Sequence, residues 1–247
     1  MMPKAPSYSE FGEDVEILKY FPRGYAGYFV EVGANNGVRD SNTLLLEENG
    51  WVGILIEANP DLIASATKSR PRSVVVNAAA GAKDSPSTPF LKVFREQSNL
   101  DGLSGVSLDE EERERIRSLG GVIEEITIPL RSLDSILKEH LGEGRSIDFV
   151  SIDIEGHELE ALKGFDLQTY RPRLMLFEDR SRSADPSVKD HLFRNGYARV
   201  HRTGWNDWYV PVADRNRFLI QRFKLKLRLI KWALQRQARQ LRSKISP

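Results

Sequence analysis

Cysteine is absent from the 247-residue chain, which excludes structural disulfides, Cys-ligated zinc or iron–sulfur centres and thiol nucleophiles. There is no apolar run of the roughly eighteen residues that a transmembrane helix needs. Pro3, Pro6, Glu10, Glu13, Asp14 and Glu16 interrupt the first stretch of chain and leave no apolar core for a signal peptide, so a cytoplasmic location is expected. The chain also lacks the G-x-G-x-x-G turn that cradles a pyrophosphate. A large net charge is missing too: 36 Lys and Arg face 35 Asp and Glu, a formal +1. That balance hides an asymmetry. Residues 211–247 carry eleven basic residues and one acid, Asp214, for a net +10, which leaves −9 on residues 1–210. The expected organisation is an acidic body, 1–210, with a strongly basic tail, 211–247.

What is present is an alternation of strands and helices. Tyr8–Phe21 reads as a helix with Ser9 as N-cap and with Phe11, Val15, Leu18 and Phe21 along one face. Strands follow at Tyr28–Val32, Val52–Ile56 and Ser73–Asn77, separated by helical spacing over Ser41–Asn49 and Pro60–Ser69. Gly81–Gly105 reads as a loop with short strands and Leu108–Leu119 as a solvated helix. Strands are predicted again at Ile123–Ile128, Ile147–Asp153 and Arg173–Phe177, with helices at Ser132–His140, from Glu158 and at Ser187–Asn195. Tyr197–His201 and Trp208–Val212 form a terminal hairpin in this reading. Connections this short imply right-handed parallel crossovers, hence a doubly wound, mostly parallel α/β sheet.

Such a sheet binds ligands at the carboxyl ends of its strands. Three features fall there. The strand ending Val30-Glu31-Val32 runs into Gly33-Ala34-Asn35-Asn36-Gly37, where glycines let a ligand approach the backbone and Gly33, Ala34, Asn35 and Gly37 form the candidate cofactor turn. Glu57, with Ala58 after it, ends the second strand, where a carboxylate accepts hydrogen bonds from a ribose diol. Asn77 ends the third strand, its amide placed to meet an adenine edge. Each also has a plain structural reading: a βα turn, a helix N-terminal acid, a turn-forming Asn. Glu31 and the asparagines suit a cationic, phosphate-free ligand, and S-adenosyl-L-methionine, with a sulfonium and an ammonium, is such a ligand.

The chain here resembles the FkbM-type S-adenosylmethionine-dependent methyltransferases. The likeness rests on Tyr8-Ser9-Glu10-Phe11-Gly12-Glu13-Asp14, Val30–Gly37, Ile56-Glu57-Ala58-Asn59-Pro60, Asn77-Ala78-Ala79 and, most distinctively, Ser151-Ile152-Asp153-Ile154-Glu155-Gly156-His157-Glu158. It departs from the usual pattern in carrying Glu31 where many members have Asp and Glu10 where Gln is common. The resemblance implies a Rossmann-like sheet of the class I methyltransferase type and methylation of oxygen, often a hydroxyl of a sugar or polyketide.

Methyl transfer to a hydroxyl needs alignment, exclusion of water, and a base or a metal. Asp153, Glu155, His157 and Glu158 follow the buried strand at Ile147–Ile152, and His157 is the favoured general base, with an adjacent carboxylate expected to raise its basicity; a structural or surface His is the alternative. Asp153 also belongs to the cofactor set. Asp153 and Glu155, with Glu178 or Asp179, offer hard oxygen ligands for Mg²⁺, a permissive arrangement that ranks below acid–base chemistry, so no metal ligand is assigned. Asn99–Gly105 reads equally well as a lid or as an ordinary loop. A nicotinamide-dependent oxidoreductase and a non-catalytic binding or assembly protein are the competing functions. The acceptor expected is a saccharide or lipid-linked glycan, and no nucleic-acid partner is expected.

In the tail, Ile220, Phe223, Leu227, Ile230, Leu234, Ala238, Leu241 and Ile245 recur at helical spacing among basic residues, with Leu225, Leu229 and Trp232 as a second ridge. A basic amphipathic helix of this kind can dock on the acidic body, pair with a second copy into a homo-oligomer, or lie on an anionic membrane surface. The last is the favoured expectation.

Overall fold

The computed structural model describes residues 7–94, 104–106, 110–179, 186–220 and 223. Strand β1 (Tyr28–Val32) is buried at every position, as a central parallel strand with both faces covered must be. On one side it pairs in parallel with β2 (Val52–Glu57), which pairs with β3 (Val74–Asn77). On the other it pairs in parallel with β7 (Phe149–Ile152), which pairs with β8 (Leu174–Glu178). Strands β10 (Asn206–Pro211) and β9 (Tyr197–Thr203) complete the sheet as an antiparallel edge. The order is β3-β2-β1-β7-β8-β10-β9, a doubly wound α/β sheet as expected.

Residues alternate across the pleat. Val30, Val32, Ile54, Ile56, Val150 and Ile152 pack with α5 (Leu133–His140) and α6 (Glu158–Lys163) on one face. Phe29, Leu55, Phe149, Leu174 and Trp208 pack on the other with Ile17 of α1 (Glu13–Tyr20), Leu46 of α2 (Leu44–Glu48) and Trp51. Helix α3 (Pro60–Ser69) has the predicted bounds, capped by Asn59 accepting from the Asp61 N–H.

Three expectations change. Helix α1 begins at Glu13, not Tyr8, because the Asp14 carboxylate accepts from the Ser7 hydroxyl, the Tyr8 N–H and the Ser9 hydroxyl and holds that segment in a turn. The stretch after Gly81 read as a loop with short strands contains a long, ten-residue strand, β5 (Ser85–Phe94), antiparallel to β6 (Val122–Arg131). With β4 (Ala79–Ala80) these form a separate three-stranded sheet, with α4 (Glu110–Ser118) between β5 and β6 in the chain. The strand expected at Ile123–Ile128 therefore lies outside the main sheet.

Helix α7 (Pro186–Arg194) precedes β9. Pro211 still pairs with Tyr197, and Phe218 is buried against Tyr20 and Trp208, so the body's packing continues past the composition break at 211. Ile220 and Phe223 are exposed; the rest of the predicted tail stripe, and Asn99–Leu103 of the predicted lid, lie outside the described residues. No helix among the described residues is long and apolar enough to cross a membrane.

Candidate active site

The strand register builds the site. Val32 pairs with both Ile56 and Ile152, Ile56 with Val76, and Ile152 with Phe177. The next residue of each parallel strand therefore falls in one row along the carboxyl edge: Gly33, Glu57, Asn77, Asp153 and Glu178. Glycine is required at Gly33, where φ is 84° and a Cβ would collide with the Asp153 carbonyl oxygen.

Two cavities open on this row. The first, about 550 Å³, is lined by Gly33, Asn35, Ile56, Glu57, Ala58, the small residues Ala78, Ala79 and Ala80, Phe90 of the second sheet, and Asp153, Glu155 and His157. Ser104, Gly105 and Val106 close one side, fixed by a bridge between Gly105 and Leu91. Glu57 is only 8 % exposed; its two oxygens each accept a 2.7 Å bond, from the Asn35 and the Asn59 N–H. A carboxylate offers about four lone-pair sites, so these bonds aim the group and leave capacity for a diol. Asn35 and Glu155 both hold a left-handed backbone, φ 51° and 53°, a conformation side chains adopt at a cost where turns serve a site.

His157 is the N-cap residue of α6 and half-buried. Burial lowers its pKa below the ordinary imidazole value; Glu160 pulls it up, but by less. The expected carboxylate-raised basicity is thus corrected to a lowered one, since loss of hydration of the cation outweighs that attraction. Glu158 braces the Asp153–Gly156 turn by accepting from the Ile154 and Gly156 N–H groups, and burial pushes its carboxyl up.

The second cavity, about 900 Å³, shares Val32, Gly33, Asn35, Asp153 and Glu155 with the first and adds Glu10, Glu31, Ala34, Arg39, Asp40, Ser41, Asn42, Ser151 and Glu178. Glu31 accepts from the Ser41 and Thr43 hydroxyls, the Asn42 N–H and the Arg70 guanidinium. Arg70 is fully buried, pairs also with Glu47 at 2.9 Å and stacks over Phe29.

Of the sequence-predicted residues, Gly33, Ala34, Asn35, Glu57, Ala58, Asp153, Glu155 and His157 line one cavity or both. Three are placed differently. Glu31 lines the second cavity paired with Arg70, which it shares with Glu47, and with its acceptor sites filled by protein donors. Gly37 lines neither cavity: it packs where a Cβ would meet Arg70 and Ser69, and its carbonyl accepts from Arg70. Asn77 also lines neither, its amide donating to the Glu57 and Ala58 carbonyls. Sequence reading missed Phe90, hidden in a stretch read as a loop with short strands, and Arg39, Asp40, Asn42 and Ser151, which no periodicity marks.

The family model described as "Methyltransferase FkbM domain" matches residues 31–198. No curated protein matches the chain. Solved structures it is similar to include ribosomal protein L11 methylase from Lactobacillus delbrueckii subsp. bulgaricus, with 8 % identity, 80 % of this chain and 75 % of that one covered, and TM-score 0.44. Another is a TehB-like SAM-dependent methyltransferase from Corynebacterium glutamicum, with 11 % identity, 82 % and 86 % covered, and TM-score 0.40. A third is TrmK from M. capricolum in complex with S-adenosyl-homocysteine, with 9 % identity, 80 % and 65 % covered, and TM-score 0.41.

Proposed function

This chain belongs to the FkbM methyltransferase family, and from that premise we propose that it transfers the methyl group of S-adenosyl-L-methionine to a hydroxyl of a saccharide or lipid-linked glycan. The observation that carries the donor assignment is the charge of the first cavity: Glu57, Asp153 and Glu155 line it, with no Lys or Arg among the described lining residues. A nicotinamide dinucleotide would bring a pyrophosphate into that field, whereas S-adenosyl-L-methionine brings two positive centres. Glu57 holds the ribose diol, Ala58, Ala79 and Phe90 supply apolar walls for the adenine, and Asp153 faces the methionyl end.

The second cavity takes the acceptor. Its lining is rich in carboxylates and amides that accept from hydroxyls. Phe11, next to the lining residue Glu10, meets Trp205 edge-to-face at 6.3 Å, and the Trp205 carbonyl accepts from the N–H of Asp179, next to Glu178. Both rings are nearly half exposed, 43 % and 47 %. A polar cleft beside exposed aromatic faces suits a sugar ring, which has hydroxyls at its edge and C–H groups on its faces.

In the transfer, the acceptor oxygen attacks the methyl carbon in line; the carbon–sulfur bond breaks with its electron pair remaining on sulfur, and the hydroxyl proton passes to the neutral His157 imidazole. Calorimetry with S-adenosyl-homocysteine and NADH tests the donor, and mass spectrometry of saccharides incubated with isotope-labelled donor tests the acceptor. Tight NADH binding without any response to S-adenosyl-homocysteine overturns the assignment.

For the basic segment after residue 211, the reading is peripheral contact with an anionic membrane. Because Phe218 belongs to the core, the truncation that tests it must retain residues through 223. Co-sedimentation with anionic liposomes is expected for the full chain and lost in the truncation; equal, negligible binding by both rejects it.

A further inference from the structure

We infer that Glu158 is a positioning residue: its buried carboxylate clamps the turn Asp153–Gly156, and the clamp holds the wall shared by the two cavities in the shape that binds the donor. The Asp153 N–H donates to the Val32 carbonyl at 3.0 Å and so continues the β1–β7 ladder. Beyond it the chain leaves the sheet, and the Ile154 and Gly156 N–H groups both turn to one oxygen of Glu158, at 3.2 and 3.1 Å. Backbone donors converging from a tight turn make a concavity for an anion, and here this chain's own carboxylate fills it.

The turn needs such a clamp. Glu155 and Gly156 are left-handed in succession, φ 53° and 93°, and a residue with a side chain keeps that conformation only where its surroundings impose it. Glu158 is buried in the first turn of α6, whose Ala161 and Leu162 lie in the core, so the carboxylate is fixed to a packed element rather than to the turn it holds. Glu158 itself lines neither cavity, whereas Gly33, Asn35, Asp153 and Glu155 line both and His157 lines the first. The Asp153 carbonyl oxygen also lies where a Cβ on Gly33 would stand, so the two turns rest on each other. Loosening the clamp therefore displaces several groups of the donor cavity together, and displacements near ~1 Å are enough to impair a site.

The clamp stands on these bonds alone; its effect on the donor rests on the S-adenosyl-L-methionine reading. The test follows amide hydrogen exchange by nuclear magnetic resonance and S-adenosyl-homocysteine binding by calorimetry, in the full chain and four variants. Glu158→Ala is expected to speed exchange at Ile154 and Gly156 at least about tenfold relative to Val150 of β7, and to weaken S-adenosyl-homocysteine binding at least about tenfold. Glu158→Asp keeps the charge but is one methylene short; it is expected to behave like the Ala variant and replaces it if that one does not fold. Glu158→Gln, whose amide oxygen still accepts from both N–H groups, is expected to bind within about threefold of the unmodified chain. Asp148 supplies the control for a merely structural effect. It is buried at the opposite end of β7, accepting from the Tyr25 hydroxyl, the Tyr28 N–H and Arg173. Asp148→Asn is expected to lower the melting temperature while leaving S-adenosyl-homocysteine affinity within about twofold. Affinity unchanged in Glu158→Ala and Glu158→Asp, or lost in step with melting temperature across all variants, Asp148→Asn included, overturns the positioning role. Failure of the donor reading looks different: the unmodified chain then binds no S-adenosyl-homocysteine, and exchange at Ile154 and Gly156 decides the clamp, which faster rates in Glu158→Ala uphold and unchanged rates overturn.

Discussion

Glu31 and Glu57 lie on adjacent parallel strands, Glu31 opposite Leu55 and Glu57 two residues further toward the carboxyl edge. Glu31 is enclosed by two hydroxyls, an amide and a buried guanidinium, and through Arg70 it is tied to Glu47. Glu57 accepts two backbone N–H bonds that orient it, and it lines the cofactor cavity. Two residues along a strand thus separate an acid that holds the fold from one that faces a ligand. A buried carboxylate whose acceptor sites are filled is a structural element, whatever motif it belongs to; one held by backbone donors with capacity left is a binding group.

The comparison breaks most sharply at Arg70. Arg70→Met leaves Glu31 and Glu47 buried without their cation and is expected to remove about 3–5 kcal/mol of stability in urea unfolding. A loss below about 1 kcal/mol would show that the knot is not structural. On the ligand side, His157→Ala is expected to lower kcat by about 10²–10³ while leaving the affinity for S-adenosyl-homocysteine within about twofold. Equal losses in both would make His157 a binding residue.

The lowered His157 pKa fixes the sign of the pH dependence. The base works as neutral imidazole, so kcat/KM should hold as pH falls through the usual imidazole range near ~6.5 and drop only below it. Folding follows the same sign: the unfolded chain protonates this His more readily, so the group's contribution to stability is present above ~6.5 and lost as pH falls below. An acidic limb at or above the ordinary imidazole value contradicts the burial argument.

Glu57→Gln is expected to weaken S-adenosyl-homocysteine binding by about 1.5–3 kcal/mol, read by calorimetry. The amide keeps one acceptor oxygen for the Asn35 or Asn59 N–H and turns a donor toward the other, so about 1–3 kcal/mol of stability should be lost as well. An unchanged dissociation constant removes Glu57 from the site. The smallest effect is expected at Asn77→Ala, about 1 kcal/mol of stability from the lost bonds to the Glu57 and Ala58 carbonyls. A cofactor loss as large as that of Glu57→Gln would return Asn77 to the binding set.

Much of this was legible in advance where the signal was local. The apolar run Tyr28–Val32, the Asn59-Pro60 helix start and the acid-rich turn after Ile152 each announced an element through side-chain period and turn chemistry. Phe90 was illegible because β5 is a half-exposed strand carrying Ser, Thr and Pro, whose pairing with β6 depends on a partner more than thirty residues away. Asn42 was illegible for a different reason: nothing in its neighbours marks an amide that lines the second cavity.

By itself the sequence determined the alternation of strands and helices and, through the strand ends, which residues reach the carboxyl edge: Gly33, Glu57, Asn77 and Asp153. Tertiary structure decided what each does there. Arg70, thirty-nine residues from Glu31, pairs with it; Glu178 arrives from a fifth strand to join Asp153 and Glu155; burial lowers the basicity of His157. Element formation is governed by side-chain period over a few neighbouring residues, but the charge and hydrogen-bonding state of a group depends on what surrounds it in space, which only the packed chain specifies.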